Sequence, residues 1–262
     1  MSFSRGRVLV AGATGGTGRR VLDTLRSLDA HVTVRALTRS ADEESALRGR
    51  GADEVVVGDA LSAEDAARAV EGCDAVVCAL GTSLGLGSLT GDHADGRGVE
   101  NLVDAARDAG VERFVLVSSI GVGDSKPGMQ LGLRLLLRGL GVLPAKARAE
   151  AHLRSSGLAY TILRPGGLTN AEATGDVVVG EGGDTVSGSV PRADVAGLCV
   201  ASLFTPAAEN RTFEVVSRRG LRGNPEGVVE VDWRMRPSDS ERRSASGDAP
   251  EDAAVEESES AD

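Results

Sequence analysis

Short apolar runs alternate with stretches of helical periodicity along most of the chain. The runs Val8–Ala11, Val32–Leu37, Glu54–Val57, Ala75–Ala79, Arg113–Val117, Ala159–Leu163 and Thr212–Val216 have the length and β-branched content of strands buried on both faces. Between them, Val21, Leu25 and Leu28 fall on one face of a helix that follows Gly18. Ser62 and Asp65 read as a capping box ahead of Ala66, Ala69 and Val70, with Gly72 as the stop. A further helix carries Val99, Leu102, Val103 and Ala106 and ends at Gly110; two more run from about Ala145 to Ser156 and from about Arg192 to Phe204. Strands alternating with helices of this length need right-handed crossovers, hence a parallel sheet covered on both faces. The expected fold is α/β, a doubly wound sheet of about seven strands in the order 3-2-1-4-5-6-7. Its ligand crevice should open between the first and fourth strands, where the winding reverses.

After Val216 the alternation stops. Residues 1–217 are therefore expected to form one domain with a small C-terminal substrate region, and residues 218–237 an irregular extension. From Ser238 onward nine acidic and two basic residues are mixed with Ser and Ala. Such a tail cannot offset its ordering entropy and should stay disordered.

That tail carries most of the formal charge of −10. Phosphate backbones would repel so acidic a chain, so nucleic acid is not an expected partner. Arginine is plentiful, whereas Lys126 and Lys146 are the only lysines. This composition resembles that of halophilic (haloarchaeal) or GC-rich-genome proteins, an association without functional content. Cys73, Cys78 and Cys199 are spaced for neither a zinc site nor a disulfide framework, and are expected to pack as small apolar residues. His31, His93 and His152 are scattered and form no metal set. The longest greasy stretch, Leu131 to Leu143, is interrupted by Arg134 and Arg138 and is too short to span a bilayer. With no evident signal peptide, the expected location is cytoplasmic.

The chemistry begins at the first strand. It runs into Gly12-Ala-Thr14-Gly15-Gly16-Thr17-Gly18 and then a helix. Glycines there let backbone N–H groups approach a pyrophosphate at the positive end of the helix. The second strand ends in Arg39-Ser40, where NAD-binding proteins usually place a carboxylate for the ribose 2′-hydroxyl. A guanidinium instead suits a 2′-phosphate, each charge-assisted hydrogen bond contributing roughly 1.5–3 kcal/mol. NADP(H) is thus favoured over NAD(H), although Arg39 could also be a solvated surface residue. Asp59 and Ala60 after the third strand should lie near the adenine, with helix capping as the other reading of Asp59. Ala79, Leu80, Gly81 and Thr82 after the fourth should lie near the central ribose and pyrophosphate.

Taken in order, Gly12-Ala-Thr-Gly-Gly-Thr-Gly18, Gly58-Asp59, Asp95-Gly-x-Gly-x-x-Asn101, Val117-Ser-Ser119, Lys146 and Arg164-Pro-Gly-Gly-Leu168 resemble the atypical, NmrA-like and flavin-reductase-like branch of the short-chain dehydrogenase/reductase superfamily. The resemblance covers roughly residues 5 to 217. It implies a Rossmann-type fold, Val117 and Pro165-Gly166-Gly167 beside the cofactor, the latter at the nicotinamide half, and a substrate cleft above the C-terminal edge of the sheet.

That superfamily's reductases use a serine, a tyrosine and a lysine, the last two four residues apart. Ser119 and Lys146 are the candidate catalytic residues here, with Lys146 also a candidate ribose contact. Val142 stands where the tyrosine would be, and the only tyrosine, Tyr160, falls within the sixth strand. The other reading of Ser118 and Ser119 is capping of the turn that follows them, and that of Lys146 is an exposed first-turn residue paired with Glu150 at i+4. Arg164 reads as a residue that holds structure. Pro191, Arg192 and Asp194 read as a helix start, with Asp194 complementing the dipole. Without a proton donor, ketone reduction would leave an unstabilised alkoxide, whereas a flavin or quinone delocalises charge and takes its proton from solvent. The expected activity is an NADPH-dependent reduction of such an apolar or conjugated small molecule by a monomer or homodimer. A non-catalytic NADP(H)-sensing regulator or assembly factor remains the alternative, and a sugar-nucleotide epimerase a weaker one. The apolar stretch Met129 to Leu143 should line the cleft, or else be a buried core helix or a dimer contact.

Overall fold

The first strand shows why the sheet forms. Along β1 (Gly6–Ala11), Val8 and Val10 enter the core on one face while Leu9 and Ala11 enter it on the other. The same two-sided burial recurs in β4 (Ala75–Cys78) and β5 (Arg113–Val117), so no polar face is left for solvent. The computed structural model describes residues 6–28, 32–81, 94–125, 131–183 and 186–235. The remaining strands are β2 (Val32–Thr38), β3 (Glu54–Val57), β6 (Tyr160–Pro165), β7 (Gly167–Thr169), β8 (Val177–Gly180), β9 (Ser187–Pro191), β10 (Arg211–Ser217) and β11 (Leu221–Arg222). The helices are α1 (Gly16–Ser27), α2 (Glu44–Gly49), α3 (Ala63–Val70), α4 (Val99–Asp108), α5 (Leu131–Gly139), α6 (Val142–Ser155) and α7 (Arg192–Phe204).

The main sheet has eight strands in the order β3-β2-β1-β4-β5-β6-β10-β8. Its first seven are parallel and keep the expected winding, with β10 in the seventh place. The eighth, β8, adds antiparallel to β10 and lies outside the alternation that a crossover pattern reveals. Helices α1 and α7 pack against each other on one face of the sheet, and α3, α4 and α6 cover the other. A small sheet, β11-β9-β7, sits beyond the ends of β6 and β10.

Helix ends follow local chemistry, with two departures from the sequence reading. The Ser62 hydroxyl accepts from Asp65 N–H at 3.2 Å, as a capping box requires, but the Asp65 carboxylate reaches past Ser62 to the N–H of Asp59 at 2.9 Å. Helix α6 starts three residues before Ala145, because Pro144 sits in its first turn, where a missing N–H costs nothing. Beyond Ser217 the chain stays on the molecule: Val228 bridges Gly180, Val229 N–H donates to Val179 at 2.9 Å, and Trp233 stands edge-on to Phe213 at 5.4 Å. The acidic tail and His93 lie outside the described residues.

All three cysteines are buried. Desolvation pushes Cys73 up to about 11 and Cys78 and Cys199 up to about 12, so they stay neutral thiols and act as packing groups. Among the described residues no group of His, Cys, Asp or Glu could hold a metal, and no helix is long and apolar enough to cross a membrane.

Candidate functional site

The C-terminal ends of β1, β4, β5 and β6 meet where the winding reverses, and the candidate residues gather along that edge. Gly12 turns the chain with φ +80°, and a Cβ there would lie 2.5 Å from the Ala79 carbonyl oxygen. Gly15 N–H donates back to Gly12 at 2.9 Å. Gly18 is the tightest position, since its Cβ would stand 2.1 Å from the Gly12 carbonyl oxygen. Thr17 and Gly18 are buried beneath the loop, while Gly15 and Gly16 face outward and Thr14 is half-buried. Helix α1 opens with no side-chain cap and no acidic residue in its first turn. Its free N–H groups and dipole therefore face the open side of the loop, the arrangement an anion needs.

Beside this loop, Arg39 is exposed at the end of β2, and no ion pair neutralises it among the described residues. Ser40 accepts from Asp42 N–H at 3.3 Å and so caps the turn that follows. Asp59 uses its carboxylate locally, accepting from Leu61 N–H at 3.0 Å in a turn before α3, while Ser62 rather than Asp59 caps that helix. Ala60 is buried, and its carbonyl and that of Leu61 both accept from the Asn101 amide at 2.9 Å. Asn101 thus pins the loop after β3 from below, a role its motif did not disclose. Ala79 and Leu80 are half-buried at the end of β4 and Gly81 is exposed; Thr82 falls outside the described residues.

Helix α6 aims one face at the sheet, with Val142, Lys146, Glu150 and Leu153 a turn apart. Val142 is 7 % exposed and supplies no hydroxyl. Tyr160 opens β6 at the opposite edge of the sheet, roughly 16 Å of strand from Pro165. Lys146 does not pair with Glu150. Its ammonium lies 2.6 Å from Asp95, a carboxylate only 1 % exposed in the turn before α4. Ser119, half-buried after β5 and Val117, donates to the adjacent Ile120 carbonyl at 2.8 Å, in keeping with a turn-capping hydroxyl.

Ser118, rather than Ser119, enters a buried network. Its hydroxyl donates to Glu150 at 2.5 Å, and Arg164 grips the same carboxylate with Nε at 3.0 Å and Nη2 at 2.7 Å. Arg154 adds a contact at 2.8 Å, and Arg164 Nη1 reaches Asp124 at 2.5 Å. Burial lowers the Arg164 pKa, but Glu150 and then Asp124 outweigh it and hold the guanidinium above its ordinary value. Burial likewise raises Asp124, yet Arg164 brings it below the usual carboxylate range. The network ties the ends of β5 and β6 to α6, and it bears out the structural reading of Arg164.

Pro165 ends β6, and Gly166 is bare because a Cβ would meet the Gly188 carbonyl at 2.4 Å. Gly166 thus serves the packing of β9, while the exposed Gly167 starts β7. Helix α5 is no core helix: Leu135 and Leu136 are 60 % and 55 % exposed. A groove of about 440 Å³ lies between the loop after β5, the end of α6, the end of β8 and β10. Its arginines are matched by acids, Arg164 by Asp124, Arg154 by Glu150 at 2.8 Å and Arg211 by Glu181 at 2.6 Å, so its wall is polar and charge-balanced.

The family described as NAD(P)H-binding matches residues 12–206. Sanguinarine reductase of Eschscholzia californica is 30 % identical over 269 residues, covering 86 % of this chain and 91 % of the relative. A Bacillus subtilis protein described as an uncharacterized sugar epimerase is 32 % identical over 209 residues, covering 80 % and 93 %. Among solved structures, an anaerobillin reductase from Escherichia coli O157:H7 superposes with TM-score 0.70 at 29 % identity, covering 81 % of this chain and 97 % of that one.

Proposed function

Because the chain belongs to the NAD(P)H-binding family, we propose that it is an NADPH-dependent reductase of a flavin, a quinone or a similar conjugated acceptor. The residues at the loop fit the cofactor: Gly12 and Gly18 let the turn close where a Cβ would strike backbone, Gly15 and Gly16 are exposed on its outer side, and α1 presents an uncapped, acid-free N-terminus. When bound, NADPH supplies a hydride. The chain's part is to hold the diphosphate on Gly15 and Gly16, to meet the 2′-phosphate with Arg39, and to present the nicotinamide half near Lys146 and Pro165-Gly166-Gly167.

The observation that carries the choice of acceptor is Val142. It is buried in the helical position one turn before Lys146, and the one tyrosine stands at the far edge of the sheet. Position 142 offers no hydroxyl to protonate an alkoxide and the Lys146 ammonium is held by Asp95, so an acceptor that spreads its charge and draws its proton from water suits the site. Two similar proteins named as reductases support reduction as the reaction. Mixing the protein and NADPH with riboflavin, FMN, menadione and benzoquinones should give oxidation at 340 nm. A rate no higher than the blank across that panel would reject the proposal.

The polarity of Arg39 gives an independent check. Arg39→Asp should weaken NADPH by tenfold or more, the value of about one charge-assisted pair, while NADH changes far less. Equal losses for both would remove Arg39 from the 2′-phosphate.

One observation favours a second reading, a protein that binds NADP(H) without turnover. Lys146 is already held by Asp95 and Ser119 by Ile120, which leaves both hydrogen-bonded within the chain. That reading predicts tight NADPH binding with no acceptor reduced. An epimerase is disfavoured because the same tyrosine would be needed there.

A further inference from the structure

Helix α7 opens on a cation. Arg192 is its first residue, at the positive end of the helix dipole, where a guanidinium is electrostatically disfavoured. Its side chain also crosses to a second helix start. A Cβ built on Gly16, the first residue of α1, would lie 2.9 Å from both Cδ and Nε of Arg192. Since α1 and α7 pack side by side, one guanidinium and two helix N-termini converge over the outward face of the glycine loop.

Among the described residues no acid pairs with the Arg192 guanidinium. Arg192 Nη1 donates to the Leu168 carbonyl at 3.3 Å and to the Asn170 side-chain oxygen at 3.0 Å, both neutral acceptors. Asp194, the closest carboxylate in sequence, faces elsewhere. It accepts from Thr174 N–H and Gly175 N–H at 2.9 Å and from the Thr174 hydroxyl at 2.7 Å, which tethers that loop in addition to sitting at the helix start. The first turn of α1 has no acidic residue either. A half-buried cation matched among the described residues only by neutral oxygens, at a place where the acid-free N-terminus of α1 adds to its charge, calls for an anion.

We propose that Arg192 is a cofactor-binding residue that closes over the diphosphate of the dinucleotide, opposite the backbone N–H groups of Gly15 and Gly16. Its bonds to Leu168 and to Asn170 just beyond it then join the diphosphate to strand β7, which starts at Gly167. The proposal rests on the reading of the glycine loop as the NADPH site. It also explains Gly16, whose missing side chain is what lets the guanidinium stem approach.

The test compares ligands that differ in the diphosphate. NADPH and 2′-phospho-ADP-ribose carry it, whereas adenosine 2′,5′-bisphosphate stops at a single 5′-phosphate. Affinities would be measured by calorimetry for the wild type, Arg192→Gln and Arg192→Lys, alongside the melting temperature of each without ligand. Arg192→Gln should weaken the first two ligands by about ten- to a hundredfold, as losing a charge-assisted contact does. The bisphosphate should change by less than about threefold on the same scale, and the lysine variant should recover part of the loss. Melting without ligand should shift by no more than about 2 °C, as for a surface substitution. Unchanged NADPH affinity in Arg192→Gln overturns the proposal. So does an equal loss for all three ligands with lowered melting, which marks a packing residue. A wild type that binds none of them instead overturns the reading of the glycine loop itself.

Discussion

Replacing Glu150 by Ala should destabilise the fold by about 3–5 kcal/mol, the usual cost of breaking a buried charge pair from one side. For a chain of this size that lowers the melting temperature by roughly 10 °C. The Glu150 carboxylate is 1 % exposed and receives Ser118, Arg154 and both faces of the Arg164 fork. Without it, Arg164 keeps only Asp124, on the loop after β5, and the Ser118 hydroxyl loses its acceptor. Glu150→Gln should help little, because the amide restores shape but not charge. Glu64→Ala, on the exposed first turn of α3, serves as comparison and should stay within about 0.5 kcal/mol. A loss under about 1 kcal/mol for Glu150→Ala, measured by urea unfolding, would mean the network is not the clamp described.

Gly18→Ala should abolish cofactor binding at any practical concentration, a loss of about a hundredfold or more. Its Cβ would stand 2.1 Å from a backbone oxygen of the same loop, so the turn must open. Gly15→Ala gives a graded version that keeps the fold, since its Cβ would meet Gly12 at 3.2 Å and its backbone is ordinary. Gly197 is the control. It lies inside α7 with nothing within 4 Å of a new Cβ. Alanine there should add about 0.5–1 kcal/mol of stability and leave NADPH affinity unchanged. If Gly18→Ala binds NADPH within about threefold of the wild type, the loop is not where the cofactor sits.

The parallel strands were legible because most carry a short apolar run, buried on both faces in β1, β4 and β5, and a turn signal follows most of them. Strands β7, β9 and β11 were not. Gly167–Thr169 and Ser187–Pro191 are short, rich in Gly and Ser, and held by backbone pairing, so they carry no hydrophobic period. The antiparallel β8 is apolar enough to be seen, but Gly180-Glu-Gly-Gly reads as loop and hides its extent. At the site, the glycine loop, Arg39 and Lys146 could be found from local context. Asp95 as the partner of Lys146, and the convergence of Glu150 with Arg164, depend on contacts between distant segments. A signal existed for Glu150: it falls on the same face of α6 as Val142, Lys146 and Leu153, so it had to be buried and therefore paired.

The stretch that follows β11 has a consequence beyond its modest contacts. Val228 and Val229 lie along β8, the last strand of the main sheet, and fill backbone groups there that would otherwise face outward. An uncovered strand of this kind is a template on which a second molecule can polymerise. Peeling those few residues away, by proteolysis or by heating short of global unfolding, would change a self-contained sheet into one that grows by recruiting copies of itself.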